Sequence, residues 1–310
     1  MLIFRGLHLT GKTPVALTIG NFDGVHLGHQ ALLKQLKMAA QQLELPTAVL
    51  VFEPHPREFF TPQEAPARLT SMREKLKFFA ILGVDRVYVC RFNSSFAQMS
   101  AADFIHALSD KLAAKYVLIG DDFRFGNRRS GDIALLEKIG GQLGIEVEVM
   151  HRVSHNGVRI SSTAVRAALS KGDLRAAHRY LGRPYSIGGR VVHGDGLGRQ
   201  LGFPTANIQL KHNRPPLSGI FVVRVQGDGL PQMQGVASLG VRPTVKQNGK
   251  PVLEVHLFDF TGEIYNKHLR VDFLHKLRDE VKYLDLQSLT QQIELDVCNA
   301  KLWFIQHDGL

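Results

Sequence analysis

Cysteine is almost missing from this chain, and the two that occur, Cys90 and Cys298, stand far apart with no C-x-x-C spacing. That excludes a disulfide framework and a thiolate zinc site, and both thiols read as core residues. No apolar run approaches the roughly 20 residues that a membrane span needs. The opening MLIFRGLHLTGK has neither a long apolar centre nor a small-residue cleavage site, so no secretion signal is expected. A soluble, cytoplasmic protein with no membrane partner is the expectation. A polybasic arm is lacking as well: the formal charge of +10 is spread over both halves, with 23 Lys+Arg against 16 Asp+Glu up to residue 182 and 15 against 12 beyond it. The densest basic cluster, RFGNRR at 124–129, has Asp121, Asp122 and Asp132 as neighbours. This suits a local anion site better than a nucleic-acid stripe, and no nucleic-acid partner is expected. At 310 residues, 44% hydrophobic and 21% charged, the chain is neither disordered nor of single-domain size, so two domains are expected.

What is there begins with GNFDGVHLGHQ, set between the apolar run VALTIG and a helical pattern whose stripe is Leu32, Leu36, Ala39 and Leu43. A turn needs glycine, and a histidine in a loop is usually solvated or packed. The spacing says more. Gly24 and Gly28 let the main chain approach a ligand, and the amides that open the next helix point outward from its N-terminus. His26 and His29, three residues apart, could then hydrogen-bond a phosphate and stabilise charge developing on a leaving group.

The first half alternates β-branched runs with helical patterns, which implies a parallel sheet covered on both faces, with ligands at the carboxyl ends of its strands. Ser100 with Asp103 forms the signature of a capping box. Three further loops share the address of the histidine motif: EPHPREFF after TAVLVF, GDDFRFGNRRSGD after YVLIG, and ISSTAVR as a new helix begins. One of Ser161, Ser162 and Thr163 is needed to cap that helix. Three hydroxyls exceed a cap, and with Arg166 they form a plausible second polyphosphate clamp.

Near residue 183 the texture changes to short strand-like runs, IGGRVV, FVVRVQ, VASLGV, LEVHLFDF and LRVDFL, separated by glycine, proline and asparagine. They suggest a small antiparallel barrel closed by an amphipathic helix from about Leu286, striped by Leu289, Ile293, Val297 and Ala300. Domains at 1–182 and 183–310 follow. Within the barrel, HGDGLGRQLGFPTAN places Thr205 and Asn207 two positions apart, on one face of an extended segment, where oxygen ligands can hold Mg²⁺ against nucleotide phosphates. No glycine here precedes Lys-Ser or Lys-Thr, so this is not a Walker loop. Period two puts Glu254 opposite the apolar face of Leu253, Val255 and Leu257, either at the surface or functional.

Seven motifs in order carry a resemblance: G-x-F-D-G-x-H-x-G-H at 20–29, D-F-x-F-G at 122–126, I-S-S-T-x-V-R at 160–166, G-x-G-R-x-L-G-F-P-T-A-N at 196–207, G-x-R-P-T at 240–244, E-V-H-x-F-D-F at 254–260 and L-R-D-E at 277–280. Along nearly its whole length the chain resembles the bacterial-type bifunctional riboflavin kinase/FAD synthetase family. The resemblance implies an N-terminal Rossmann-like nucleotidyltransferase domain and a C-terminal Greek-key β-barrel. It implies ATP-dependent phosphorylation of riboflavin to FMN in the barrel, then adenylyl transfer from a second ATP to FMN, giving FAD and pyrophosphate, in the first domain.

By the same resemblance Glu254 would be the general base for the ribityl hydroxyl, with Thr205 and Asn207 on Mg²⁺ and Gly196, Gly198, Arg199 and Pro204 in a flap over ATP. Gly20, Phe22, Asp23, His26, Gly28, His29, Asp122, Asn127, Ser162, Thr163 and Arg166 would bind the adenylyl-donating ATP. Arg278, Asp279 and Glu280 would meet flavin in the kinase site. The chain departs from the pattern at Gln200, Val245 and Tyr283, positions of flap detail and flavin packing. A monomer or weak homo-oligomer acting on small molecules is expected. Competing expectations are an H-x-G-H transferase for pantetheine phosphate or nicotinamide mononucleotide, which would not need the barrel, and a non-catalytic flavin or nucleotide sensor, which would have no use for Glu254, Asn207 and the pair His26 and His29.

Overall fold

The computed structural model describes residues 1–7, 13–155, 157–210, 214–241 and 251–307. Two compact units divide it: Met1–Pro66 with Met72–Ser161, and Ala67–Ser71 with Ser162–Leu310.

The first unit runs β1 (Leu2–Arg5), β2 (Val15–Ile19), α1 (Leu27–Gln42), β3 (Thr47–Glu53), α2 (Pro56–Phe60), α3 (Met72–Ile81), β4 (Arg86–Arg91), α4 (Ser94–Ala97), α5 (Ala101–Asp110), β5 (Ala114–Gly120), α6 (Ile133–Gln142), β6 (Glu146–Met150) and the small pair β7 (Ser154–His155) and β8 (Val158–Arg159). Six parallel strands pair in the order β1-β4-β3-β2-β5-β6. All five residues of β2 are buried, because helices cover both faces. Leu17 joins Phe104, Ile105, Leu108 and Leu136 on one side, and Ala16 joins Leu36, Val49 and Phe79 on the other. A strand buried on both faces reads as a continuous apolar run, as VALTI does. Strand order reverses at β2, whose neighbours are β3 and β5, so the loops leaving β2 and β5 open onto the topological switch point.

The expected stripe of α1 is partly corrected. Leu32, Leu33, Leu36 and Ala40 are the buried residues, while Leu43 is the C-cap and is 42% exposed. Leu32 and Leu36 of the expected stripe hold and Ala39 packs half-buried against the same core, and Leu43 falls out of it because the helix ends at Gln42.

The second unit contains α7 (Ser162–Ser170), α8 (Leu174–Leu181), β9 (Tyr185–Val192), α9 (Leu197–Gln200), β10 (Ala206–Ile208), β11 (Gly219–Gly227), β12 (Leu230–Val241), β13 (Pro251–Leu257), β14 (His268–Arg278) and α10 (Leu286–His307). Six strands close in the order β10-β13-β12-β11-β14-β9, all neighbours antiparallel. β10 lies beside β13 rather than β11, the Greek-key return. Alternate residues fill the barrel: Phe221, Val223, Leu253, Val255 and Phe273 share one core with Val165, Leu169, Ala177 and Leu181 of the two preceding helices. The packing boundary therefore stands between Ser161 and Ser162, earlier than the change of sequence texture at 182/183. α10 lies outside the barrel, where Ala300 and Phe304 pack on Val222, Val236 and Phe258.

Candidate active sites

In the first unit, the loop after β2 has an unusual backbone: Phe22, Gly24 and Val25 all adopt left-handed φ, at 47°, 83° and 41°. Non-glycine residues hold that conformation only when tertiary contacts fix them. Here Phe22 is 1% exposed and Asp23 3%. Phe22 tilts over His29 with ring centroids 4.9 Å apart. His26 and His29 are stacked at 3.7 Å with 17° between planes. His26 is also the N-cap of α1: its Nδ1 accepts from the His29 amide at 3.3 Å. An accepting Nδ1 puts the neutral ring's proton on Nε2, a donor suited to a phosphate oxygen. One helix-end amide expected to face a ligand is thus taken by His26 itself, which is 6% exposed.

Gly28 suits this packing, since a Cβ there would sit 3.1 Å from His26 Nδ1 and press the ring by a few tenths of an ångström. At Gly20 a Cβ would lie 3.1 Å from the Phe22 ring. The loop after the adjacent strand β5 carries Asp122, exposed and paired to Arg159 at 2.5 Å, and exposed Asn127, whose main-chain N–H donates to the Met99 carbonyl at 2.8 Å. Asp132 caps α6 through the Leu135 amide and meets Arg124 at 3.0 Å, and these two contacts, the cap first, hold its carboxyl below the usual range.

Ser162 begins α7 in the second unit, with Thr163 exposed beside it. Arg166, one turn on, donates from Nε to the Ala67 carbonyl at 2.6 Å.

The barrel builds its own constellation on its outer face. Register places Asn207 opposite Glu254 across β10 and β13, and Ser238 opposite Glu254 across β13 and β12. Directly opposed residues have Cβ atoms about 4.5–5.5 Å apart, so an amide, a carboxylate and a hydroxyl form one row. All three are half-buried. The glycine-rich segment folds onto the same place: a Cβ at Gly194 would come within 2.2 Å of Asn207 Nδ2, and one at Gly198 within 3.2 Å of Thr205 Oγ1. Gly196, at φ 74°, caps the one-turn α9 that carries exposed Arg199. The Pro204 carbonyl lies 2.9 Å from His256 Nδ1. Thr205 and Asn207 offer hard oxygen donors under a glycine cradle, which fits Mg²⁺ chemistry.

The residues after β14 divide their work. Arg278 is held by Asp296 through two bonds, Nε to Oδ1 at 2.8 Å and Nη2 to Oδ2 at 2.6 Å. This pairing pushes its already high pKa further up. Asp279 pairs with Lys276 at 2.6 Å, and Glu280 accepts from Ser238 Oγ at 3.2 Å. Ser238 was not legible as a site residue, because only strand register brings it beside Glu254. Of G-x-R-P-T, residues 242–244 lie outside the described residues, as does Val245.

The FAD synthetase family model matches residues 9–164, and the riboflavin kinase family model matches residues 181–304. A bifunctional riboflavin kinase/FMN adenylyltransferase of Pseudomonas fluorescens is 47% identical over 304 residues, covering 97% of each chain. The chain belongs to the bifunctional riboflavin kinase/FMN adenylyltransferase family. The Escherichia coli relative of the same name is 45% identical and covers 98% of both chains. A solved structure called a macrolide-efflux protein, from Streptococcus pneumoniae, covers 96% of this chain and 97% of its own at TM-score 0.82 and 28% identity. Among the described residues no helix is long and apolar enough to cross a membrane. The two family models fall on the two constellations described above: the histidine pair lies in the FAD synthetase match, and the row Asn207, Glu254 and Ser238 in the riboflavin kinase match.

Proposed function

We propose that this chain makes FAD from riboflavin in two steps, phosphorylation by the barrel domain (183–310) and adenylylation by the α/β domain (1–182). The observation that carries the reading is the juxtaposition of Asn207 and Glu254 on neighbouring strands. An oxygen ligand for a metal-bound nucleotide then stands beside a carboxylate able to take a proton.

In the first step Glu254 accepts the proton of the terminal ribityl hydroxyl as that oxygen attacks the γ-phosphorus of ATP, and ADP leaves. Thr205 and Asn207 would hold Mg²⁺, which when bound neutralises charge on the phosphates. The glycine-rich segment, with Gly196, Gly198, Arg199 and Pro204, closes over the nucleotide, and its glycines allow the main chain to approach Thr205 and Asn207. Arg278, Asp279 and Glu280 would meet the flavin, Arg278 with its guanidinium fixed by Asp296.

In the second step the FMN phosphate attacks the α-phosphorus of ATP and pyrophosphate leaves, so no protein nucleophile is needed. Catalysis there is positioning and charge stabilisation. His26, donating from Nε2, and His29 bind the polyphosphate with Gly20, Phe22, Asp23 and Gly28 shaping the loop. Asp122 and Asn127 are proposed as further ligands of that ATP. A cytoplasmic enzyme, monomeric or weakly associating, fits these small-molecule substrates.

The test is a time course with riboflavin, ATP and Mg²⁺, resolved by chromatography. FMN should rise and then give way to FAD, with ADP released in the first phase and pyrophosphate in the second. Turnover of nicotinamide mononucleotide or pantetheine phosphate in place of FMN would sink the assignment.

A further inference from the structure

We infer that Lys75 is a positioning residue for adenylyl transfer, holding the loop that presents the histidine pair; the inference rests on the reading of that pair given above. Lys75 lies in α3 and is 2% exposed. A lysine is almost never buried so deeply unless its ammonium is engaged. Its Nζ donates to the main-chain carbonyl of Asn21 at 2.8 Å, and Asn21 stands between Gly20 and the left-handed Phe22.

One turn further along α3 is Phe79, on the same helix face and wholly buried. Its ring meets Phe22 edge-on, with centroids 5.3 Å apart and 86° between planes, and Phe22 in turn packs on His29. α3 therefore grips the loop twice, by a charge-assisted hydrogen bond to its backbone and by an aromatic edge against the ring that seats His29. A strained loop needs such supports to keep one conformation, and a histidine that stabilises a leaving group acts through its fixed position. Lys75 is remote from the barrel's row of site residues in sequence and belongs to the other compact unit, so its effect is confined to one of the two reactions.

The experiment uses the full chain with Lys75→Met, which keeps the stem and removes the donors, and Lys75→Arg, which keeps donors. Steady-state FAD formation from FMN and ATP is measured beside riboflavin phosphorylation and thermal melting of the same preparation. Lys75→Met should lower kcat for FAD formation by about tenfold or more while the KM values for FMN and ATP stay within about threefold. Kinase turnover should hold within about twofold of wild type, and Lys75→Arg should recover a measurable part of the loss. A wild-type kcat in Lys75→Met overturns the inference, as does a defect confined to KM, or a loss that Lys75→Arg leaves unrepaired and that tracks the melting temperature. Should Lys75→Met fail to fold, Lys75→Gln, uncharged and one bond shorter, carries the test by the same kcat signature, and a wild-type kcat there overturns the inference. If the wild-type protein makes no FAD, the assigned reaction fails rather than the role of Lys75.

Discussion

Replacing Gly194 by alanine probes the kinase constellation without touching a chemical group. The added Cβ would lie 2.2 Å from Nδ2, 2.6 Å from Cγ and 2.7 Å from Oδ1 of Asn207. Ordinary carbon contacts begin near about 3.5 Å, so the amide must retreat by about 1 Å or the glycine-rich segment must lift by as much. A misplacement of about 1 Å costs up to about 100-fold in rate, or about 2.7 kcal/mol of transition-state stabilisation. Riboflavin phosphorylation, followed by chromatography of FMN, should fall by about 10- to 100-fold in kcat/KM, and FAD formation from added FMN should be unchanged. Gly229→Ala is the control: a Cβ there also meets nothing within 4 Å, φ is 71°, and the residue lies in the turn between β11 and β12, so its effect is limited to backbone strain of about 1 kcal/mol. Kinase activity of Gly194→Ala equal to that of Gly229→Ala would refute the idea that the flap rests on Asn207.

Three further outcomes follow from the packing. Phe221→Ala empties a wholly buried site in the barrel and should cost about 3–5 kcal/mol in denaturant unfolding of the second unit. Asp296→Ala strips Arg278 of both hydrogen bonds to a carboxylate and leaves only the one from Nη1 to the Asp279 carbonyl. The Arg278 and Asp296 side chains are 23% and 7% exposed, and since a fully buried pair costs about 3–5 kcal/mol to break, a discount for the exposed arginine leaves about 2 kcal/mol, read from the same unfolding curves. His275 has a pKa below its ordinary 6.5, first through burial and then through the charges of Arg175 and His307. The unfolded chain therefore binds that proton more readily than the folded one, and stability should decline as pH drops below 6.5. His275→Gln should flatten that part of the stability profile.

The inner parallel strands β2 and β5 were legible because they are covered on both faces, so VALTI and YVLIG stand out as apolar runs. β1 was missed: it is only four residues long and none of them is buried. Ser100 capped α5 as its spacing with Asp103 implied, accepting from the Asp103 amide. His26 as N-cap of α1 was not foreseen, since histidine lies outside the usual capping residues. The face shared by Thr205 and Asn207 could be read from period two. That Asn207, Glu254 and Ser238 form one row could not, because strand register between residues 47 and 16 positions apart is a tertiary fact. Lys75 was invisible for a similar reason: a lysine in a helix reads as solvated until the loop it grips is seen above it.

The central claim is that one chain holds two separable sites, a carboxylate beside oxygen ligands on a barrel and a stacked imidazole pair at a helix start. Its most direct test is product chromatography of Glu254→Ala and His29→Ala, each incubated with riboflavin, ATP and Mg²⁺. Glu254→Ala should leave riboflavin unconverted yet still turn added FMN into FAD, and His29→Ala should accumulate FMN. Loss of both reactions in either folded variant would contradict the account.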